Sequence, residues 1–224
     1  MDGVLADFAA AFHAVEERLF PDSPGLSAGE PESEAGSGSP EQPDAKPREA
    51  DSPHETRRRR DAIWSDIRST ADFWTTIQPT EEGAVRRIHE LMLQHRWEVF
   101  FITQRPATEG DTVQRQTQRW LVAQGFDLPS VLVISGSRGA AAAALRLDYH
   151  VDDSPQNCLD VMSSAGAKAI LISGGSDQMV TTARNLKIAI TPSIRPCLDL
   201  LDQVSAAQSN PTLLKRLATL VGWR

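Results

Sequence analysis

From Asp61 onward the chain alternates short apolar runs with longer amphipathic stretches, and this alternation limits its fold more than any other feature. Residues 97–103, 131–134, 149–151, 169–172 and 188–190 each read as a short buried strand. Helices are expected at 61–69, 80–95, 110–124, 138–147, 155–165, 194–207 and 211–221. In the second of these, Val85, Ile88, Leu91 and Met92 form one apolar face, and Gly125 is a natural stop for the third. Strands alternating with helices imply right-handed βαβ units and a parallel sheet, so the fold class is α/β. In such sheets ligands sit at the carboxyl ends of the strands. The residues that end each strand are therefore the candidate functional residues.

The first sixty residues are different. Phe8, Phe12, Val15 and Leu19 recur at helical spacing over 7–20, and Asp7 reads as the cap of that helix. From Pro21 to Glu55 the chain is rich in Pro, Gly, Ser and Glu, and Leu26 is its one large aliphatic residue. Such a stretch buries too little apolar surface to offset its ordering entropy, so it reads as a disordered insertion. It holds nine acidic residues against Lys46 and Arg48, a net of −7, which equals the charge of the whole chain. The remainder is formally neutral. That excludes the basic footprint of a protein that binds a nucleic-acid polymer. The run Arg57–Arg60 reads as a solvated helix start or a partner for the acidic stretch.

No apolar run approaches the roughly 18 residues that a membrane helix needs, so no membrane partner is expected. Asp2 and Asp7 stand where a secretory signal would carry basic residues. Cys158 and Cys197 are too few for a disulfide framework or a zinc site, which points to a reducing, cytoplasmic setting.

The strand ends are chemically coherent. Asp2-Gly3 opens the chain, Thr103-Gln104-Arg105 follows one strand, Arg138 opens the helix after another, and Asp152-Asp153 follows a third. A hydroxyl, guanidinium groups and carboxylates around one crevice suit magnesium and phosphate. Thr103 could simply end its strand. A cation at the start of a helix opposes the helix dipole, which favours a functional reason for Arg138. Adjacent carboxylates at a strand end repel each other without a cation, so Asp152-Asp153 is the strongest functional signal. The five histidines show no metal-ligand spacing and read as surface or packing residues. Trp64, Phe73 and Trp74 read as cap or core packing, with a base-stacking role the alternative.

These motifs resemble the haloacid dehalogenase-like (HAD) hydrolase superfamily. The nearest branch is that of 5′-nucleotidase and deoxyribonucleotidase-like proteins. Asp2-Gly3-Val4-Leu5-Ala6-Asp7-Phe8 resembles the end of the first motif, and Phe100-Phe101-Ile102-Thr103 the second. Arg138 stands where the third motif has Lys or Arg, and Val151-Asp152-Asp153 resembles the acidic fourth. The resemblance implies a Rossmann-like domain of residues 1–20 and 61–224, with a small helical cap at about 7–20 and 61–75 and a linker at 21–60. It further implies a Mg²⁺-dependent phosphatase acting on a small phosphomonoester, with nucleotides among the candidates. Asp2 would be the general acid and offer its main-chain carbonyl to the metal. Thr103 would bond the phosphoryl oxygens, with Gln104 beside it, and Arg138 would anchor the phosphate. Asp152 and Asp153 would hold Mg²⁺, one directly and one through water.

One departure stands out. The motif places its nucleophilic aspartate two residues before Asp2, immediately ahead of Met1, and a central hydrophobic strand, flanked by two others, ahead of that. Losing that strand would leave two backbone ladders unpaired, at ~1–3 kcal/mol per buried group. Total stabilities are only about 5–15 kcal/mol. The preferred explanation is a start set at an internal methionine, and the polypeptide as written is expected to be inactive. The alternatives are a phosphate- or nucleotide-binding relative without turnover, and an interaction protein that works through its acidic linker.

Overall fold

The computed structural model describes residues 1–21, 25–26 and 53–207. Nearly all of the acidic stretch and the expected helix at 211–221 lie outside them. The described chain is α/β, with parallel strands flanked by helices. The order is α1 (Phe8–Leu19), α2 (Pro53–Ser69), a 3-10 turn (Phe73–Thr75), α3 (Ala84–His95), β1 (Phe100–Thr103), α4 (Val113–Ala123) and β2 (Ser130–Val133). There follow α5 (Arg138–Leu145), β3 (Tyr149–Asp152), α6 (Pro155–Ala165), β4 (Lys168–Ile172), α7 (Asp177–Leu186), β5 (Ala189–Thr191) and α8 (Ile194–Ala207).

Side-chain caps set most helix starts. Asp7, Thr112, Ser137, Ser154 and Ser176 each accept a hydrogen bond from a backbone N–H in the first turn of α1, α4, α5, α6 and α7. α4 ends at Ala123, and Gly125 takes the left-handed conformation just past it, at φ +95°.

Two elements differ from the sequence reading. α2 begins at Pro53, so residues 53–60, assigned to the linker, are helical. The arginine run thus lies in the second turn of a helix rather than at its start. Arg59, however, is buried, and it donates to the buried carboxylate of Glu16 at 2.9 Å. α7 was not anticipated at all. Ala183 is its one fully buried residue, with Met179 and Leu186 partly buried in the same cluster. Two more features mark it, the Ser176 cap and the need for a crossover between the parallel strands β4 and β5.

The strands do not form one sheet. β1 pairs with β2, and β3, β4 and β5 pair in that order, all parallel. Among the described residues no ladder joins β1 to β3. Between them lies a cavity of about 580 Å³, lined by consecutive residues 96–102 on one side and 145–152 on the other. The sequence predicts a strand from 97, but the ladder starts only at Phe100, where Ser130 first offers a partner.

The main core lies beneath α1 and α2. Phe8 stacks on Trp64 at 5.4 Å between ring centroids, and Phe12 meets the same ring edge-on. Trp74 and Trp120 are almost fully buried, and their indole N–H groups donate to the carbonyls of Pro106 and Ile77. These tryptophans are packing residues. No helix among the described residues is long and apolar enough to cross a membrane.

Candidate functional site at the strand ends

The site begins with a tight loop at Met1–Asp7. The N–H of Leu5 donates to the carbonyl of Met1 at 2.8 Å, and that of Gly3 donates to Ala6 at 3.0 Å. Residues 78–80 pin the loop: Asp7 donates to the Gln78 carbonyl at 2.8 Å, and Thr80 donates to that of Leu5 at 2.9 Å. Gly3 has φ +71°, and a Cβ there would collide with the carboxyl group of Asp153. The loop therefore needs glycine on two grounds, conformation and the close approach of an acid.

Asp2 does not face an open site. Its carboxylate accepts from Nε and Nη2 of Arg105, the latter at 2.6 Å. The guanidinium is buried, lies 4.8 Å from the centroid of the Trp74 ring, and donates onward to Thr117 at 3.1 Å. Of its two readings, contact with substrate or a pair with a carboxylate, Arg105 shows the second. The two groups pair with bidentate geometry.

Thr103 ends β1 and is buried; its hydroxyl accepts from the Arg105 N–H at 3.4 Å, a long bond that leaves its proton to give. Gln104 is exposed and donates to the Gly136 carbonyl at 3.1 Å, tying the loop after β1 to the loop after β2.

Arg138 is buried at the head of α5. Its Nε has no hydrogen-bond partner, and the nearest acid, Oδ2 of Asp152, lies 3.9 Å away. Asp160 fixes the helix start by accepting from Ser137 Oγ and the Gly139 N–H, both at 2.7 Å.

Asp152 ends β3 and is buried. One of its oxygens accepts from the Ser154 N–H at 2.9 Å and from Asn157 at 3.0 Å. The other lies 3.1 Å from Nε2 of His150. Burial alone would raise its pKa. The His150 hydrogen bond, the nearby Met1 ammonium and the Asn157 amide outweigh that and hold it well below the usual carboxylate range. Its neighbour moves the other way. The residue surface of Asp153 is exposed, but its carboxyl is packed on Gly3, and this desolvation and the charge of Asp152 push it up to about 6.

No family model matches the chain, and neither does any curated protein or solved structure.

The structure thus brings Asp152, Asp153 and Arg138 together with the loop that carries Asp2, while the Asp2 side chain is taken by Arg105. Sequence reasoning placed His150 among packing residues, yet it contacts Asp152. Two residues apart on one strand they share a face, and that spacing was the available signal. Asn157 was missed as well; it lies three positions after the Ser154 cap, in the first turn of α6, beside the strand end.

Among the described residues no three His, Cys, Asp or Glu side chains converge on a point that could hold a metal ion. The site offers two adjacent carboxylates, Asp152 with both oxygens hydrogen-bonded and Asp153 packed on Gly3. That donor set does not make a protein cage. It does fit magnesium, which is usually held by one or two carboxylates with the rest of its shell supplied by water and substrate phosphate.

Proposed function

We propose that this chain is the phosphate-handling part of a magnesium-dependent phosphomonoester hydrolase of the HAD type, with a nucleotide among the candidate substrates. The observation that carries the reading is Arg138, a buried guanidinium with an unpartnered Nε beside a strand-end acid pair. A phosphoryl oxygen is the group such a cation lacks. Thr103 would donate its hydroxyl proton to a second oxygen, and the tie from Gln104 to Gly136 would hold the two loops in place around it. Asp153 would hold Mg²⁺ directly and Asp152 through water, with the main-chain carbonyl of Asp2 completing the protein ligands. When bound, the ion neutralises charge on the phosphoryl group.

In this reading the nucleophile is the carboxylate of a residue ahead of Met1. Its oxygen forms a bond to phosphorus as the bond to the leaving alcohol breaks and the alcohol takes up a proton. Water then releases phosphate and regenerates the carboxylate. A cytoplasmic setting, where two free cysteines are ordinary, belongs to the same reading.

A second reading, phosphate binding without turnover, draws on a separate observation. The Asp2 side chain is taken up by Arg105, which turns it away from the leaving group that a general acid would have to reach.

Calorimetry with inorganic phosphate and nucleoside monophosphates tests the common part: Arg138→Ala should weaken binding about tenfold or more, the loss of a charge-assisted hydrogen bond. The 224-residue chain should not hydrolyse p-nitrophenyl phosphate with Mg²⁺. A form extended ahead of Met1 by an apolar strand and an aspartate should. Turnover by the unextended chain overturns the missing nucleophile. Binding without turnover in the extended form selects the second reading, and binding indifferent to Arg138 removes both.

A further inference from the structure

α6 reaches both halves of the acid–arginine pair through two side chains one turn apart. Asn157 and Asp160 are spaced i, i+3, so they stand on one face of the helix. Asn157 donates to Oδ1 of Asp152 at 3.0 Å, beside the Ser154 N–H that gives to the same oxygen at 2.9 Å. Asp160 holds the other half. Its Oδ2 accepts from the Gly139 N–H and the Ser137 hydroxyl, the residues that flank Arg138 in the chain. Its Oδ1 accepts from the Ser164 hydroxyl at 3.2 Å. The Gly139 N–H first, and then the Ser137 hydroxyl, hold its carboxyl below the usual carboxylate range. It therefore stands as an anion at the head of α5, where the helix dipole favours one.

The two helices meet without slack at this point. A Cβ at Gly139 would lie 2.4 Å from the main-chain carbonyl oxygen of Asp160, closer than real contacts come. Glycine next to Arg138 thus lets the head of α5 rest directly on α6.

The spacing between Arg138 and Asp152 needs such a restraint. Both side chains are buried and oppositely charged, yet Nε of the arginine lies 3.9 Å from Oδ2 of the acid and has no hydrogen-bond partner. A pair free to relax would shorten to the ~2.8 Å of a charge-assisted hydrogen bond. The acid is fastened by His150, Ser154 and Asn157. The main chain around Arg138 is fastened by Asp160. An approach of about 1 Å is thereby denied, and the donor stays open.

We propose that Asp160 is a positioning residue. With Asn157 it makes α6 a spacer that holds the Arg138 guanidinium off Asp152 and keeps its Nε open for a phosphoryl oxygen. The inference rests on the phosphate reading of this site, and adds what keeps the cation from being quenched by the acid beside it. A displacement of about 1 Å at such a group is enough to cost up to a hundredfold in what the site does.

The test uses the 224-residue chain and two readouts. The first is the Arg138 Nε–H signal in ¹⁵N-arginine NMR spectra without ligand, assigned by its absence from Arg138→Lys. In Asp160→Ala this N–H should close on Asp152 and exchange with water about tenfold more slowly. The variant keeps the Ser137 cap on the Ala140 N–H, so α5 retains a start signal. The second readout is calorimetry with inorganic phosphate. Asp160→Ala should weaken binding about tenfold, as losses of supporting partners around a site do. Asp160→Asn should restore most of it, because its amide oxygen can accept the same two bonds. Ser176→Ala removes a comparable cap from α7, far from Arg138 in the chain, and should leave phosphate affinity unchanged. An unaltered Arg138 signal in Asp160→Ala, unaltered phosphate affinity there, no recovery in Asp160→Asn, or an equal loss in Ser176→Ala each overturns the proposal. Failure of the unsubstituted chain to bind phosphate removes the hydrolase reading instead, and the Arg138 signal then still decides whether Asp160 holds that guanidinium in place.

Discussion

The aromatic cluster beneath α1 and α2 and the seam between β1 and β3 are made by one chain and finished in opposite ways. Under the helices, Phe8, Phe12, Trp64 and Trp74 meet ring to ring, the indole of Trp74 has an acceptor, and the buried Glu16 carboxylate has partners in Arg59 and Leu26. At the seam the side chains are apolar too, but among the described residues the strands they stand on have no common partner. Apolar residues suffice to build a core among helices, whose backbone groups are satisfied internally. They do not suffice between strands, where each edge needs a second chain segment.

This contrast makes graded predictions. Trp74→Ala should be the most damaging, at about 3–5 kcal/mol in urea unfolding, because it opens a cavity in packed aromatic surroundings. A loss under about 1 kcal/mol would show that the cluster is no better packed than the seam. Glu16→Ala should cost about 3 kcal/mol in the same experiment, because it takes a buried carboxylate from both Arg59 and the Leu26 N–H. Leu5→Phe sharpens the seam side. In a filled core an enlarged side chain costs about 1–3 kcal/mol, but Leu5 lines the cavity, so thermal unfolding should show no loss or a small gain. The smallest effect concerns the thiols. Burial pushes Cys158 and Cys197 up to about 12, so neither should react with iodoacetamide at pH 8 in the folded protein, and both should in urea. Their raised values stabilise the fold fully below the free-thiol pKa. That contribution is lost as pH climbs from about 9 toward 12, so the melting temperature should fall across that window.

The sequence was most readable where a local pattern carries its own meaning. The apolar faces of α1 and α3, the cap at Asp7 and the strand ends at Thr103 and Asp152 follow from spacing and residue type alone. What stayed hidden depends on partners distant in sequence. Arg59 sits in a run of four arginines that looks solvated, and nothing local says that Glu16, 43 positions earlier, draws it inside. Asp2 is equally ambiguous until Arg105, 103 positions away, closes on its carboxylate. α7 escaped although Met179, Ala183 and Leu186 recur at helical spacing and pack in one cluster, so its pattern was there to read. At the site, the acid pair and Arg138 could be named from the sequence. The backbone edges of β1 and β3 could not be placed that way, since main-chain groups leave no letter in it.

The tie from Glu16 to Leu26 and to Arg59 has a consequence for how this chain tolerates change in length. Residues 26 and 59 are fastened to the same carboxylate, so these two points of the chain are held close together. The free energy of closing a loop grows only with the logarithm of its length, by about 0.6 kcal/mol for each doubling. Lengthening the chain between these two anchors should therefore add little to the cost of closing it.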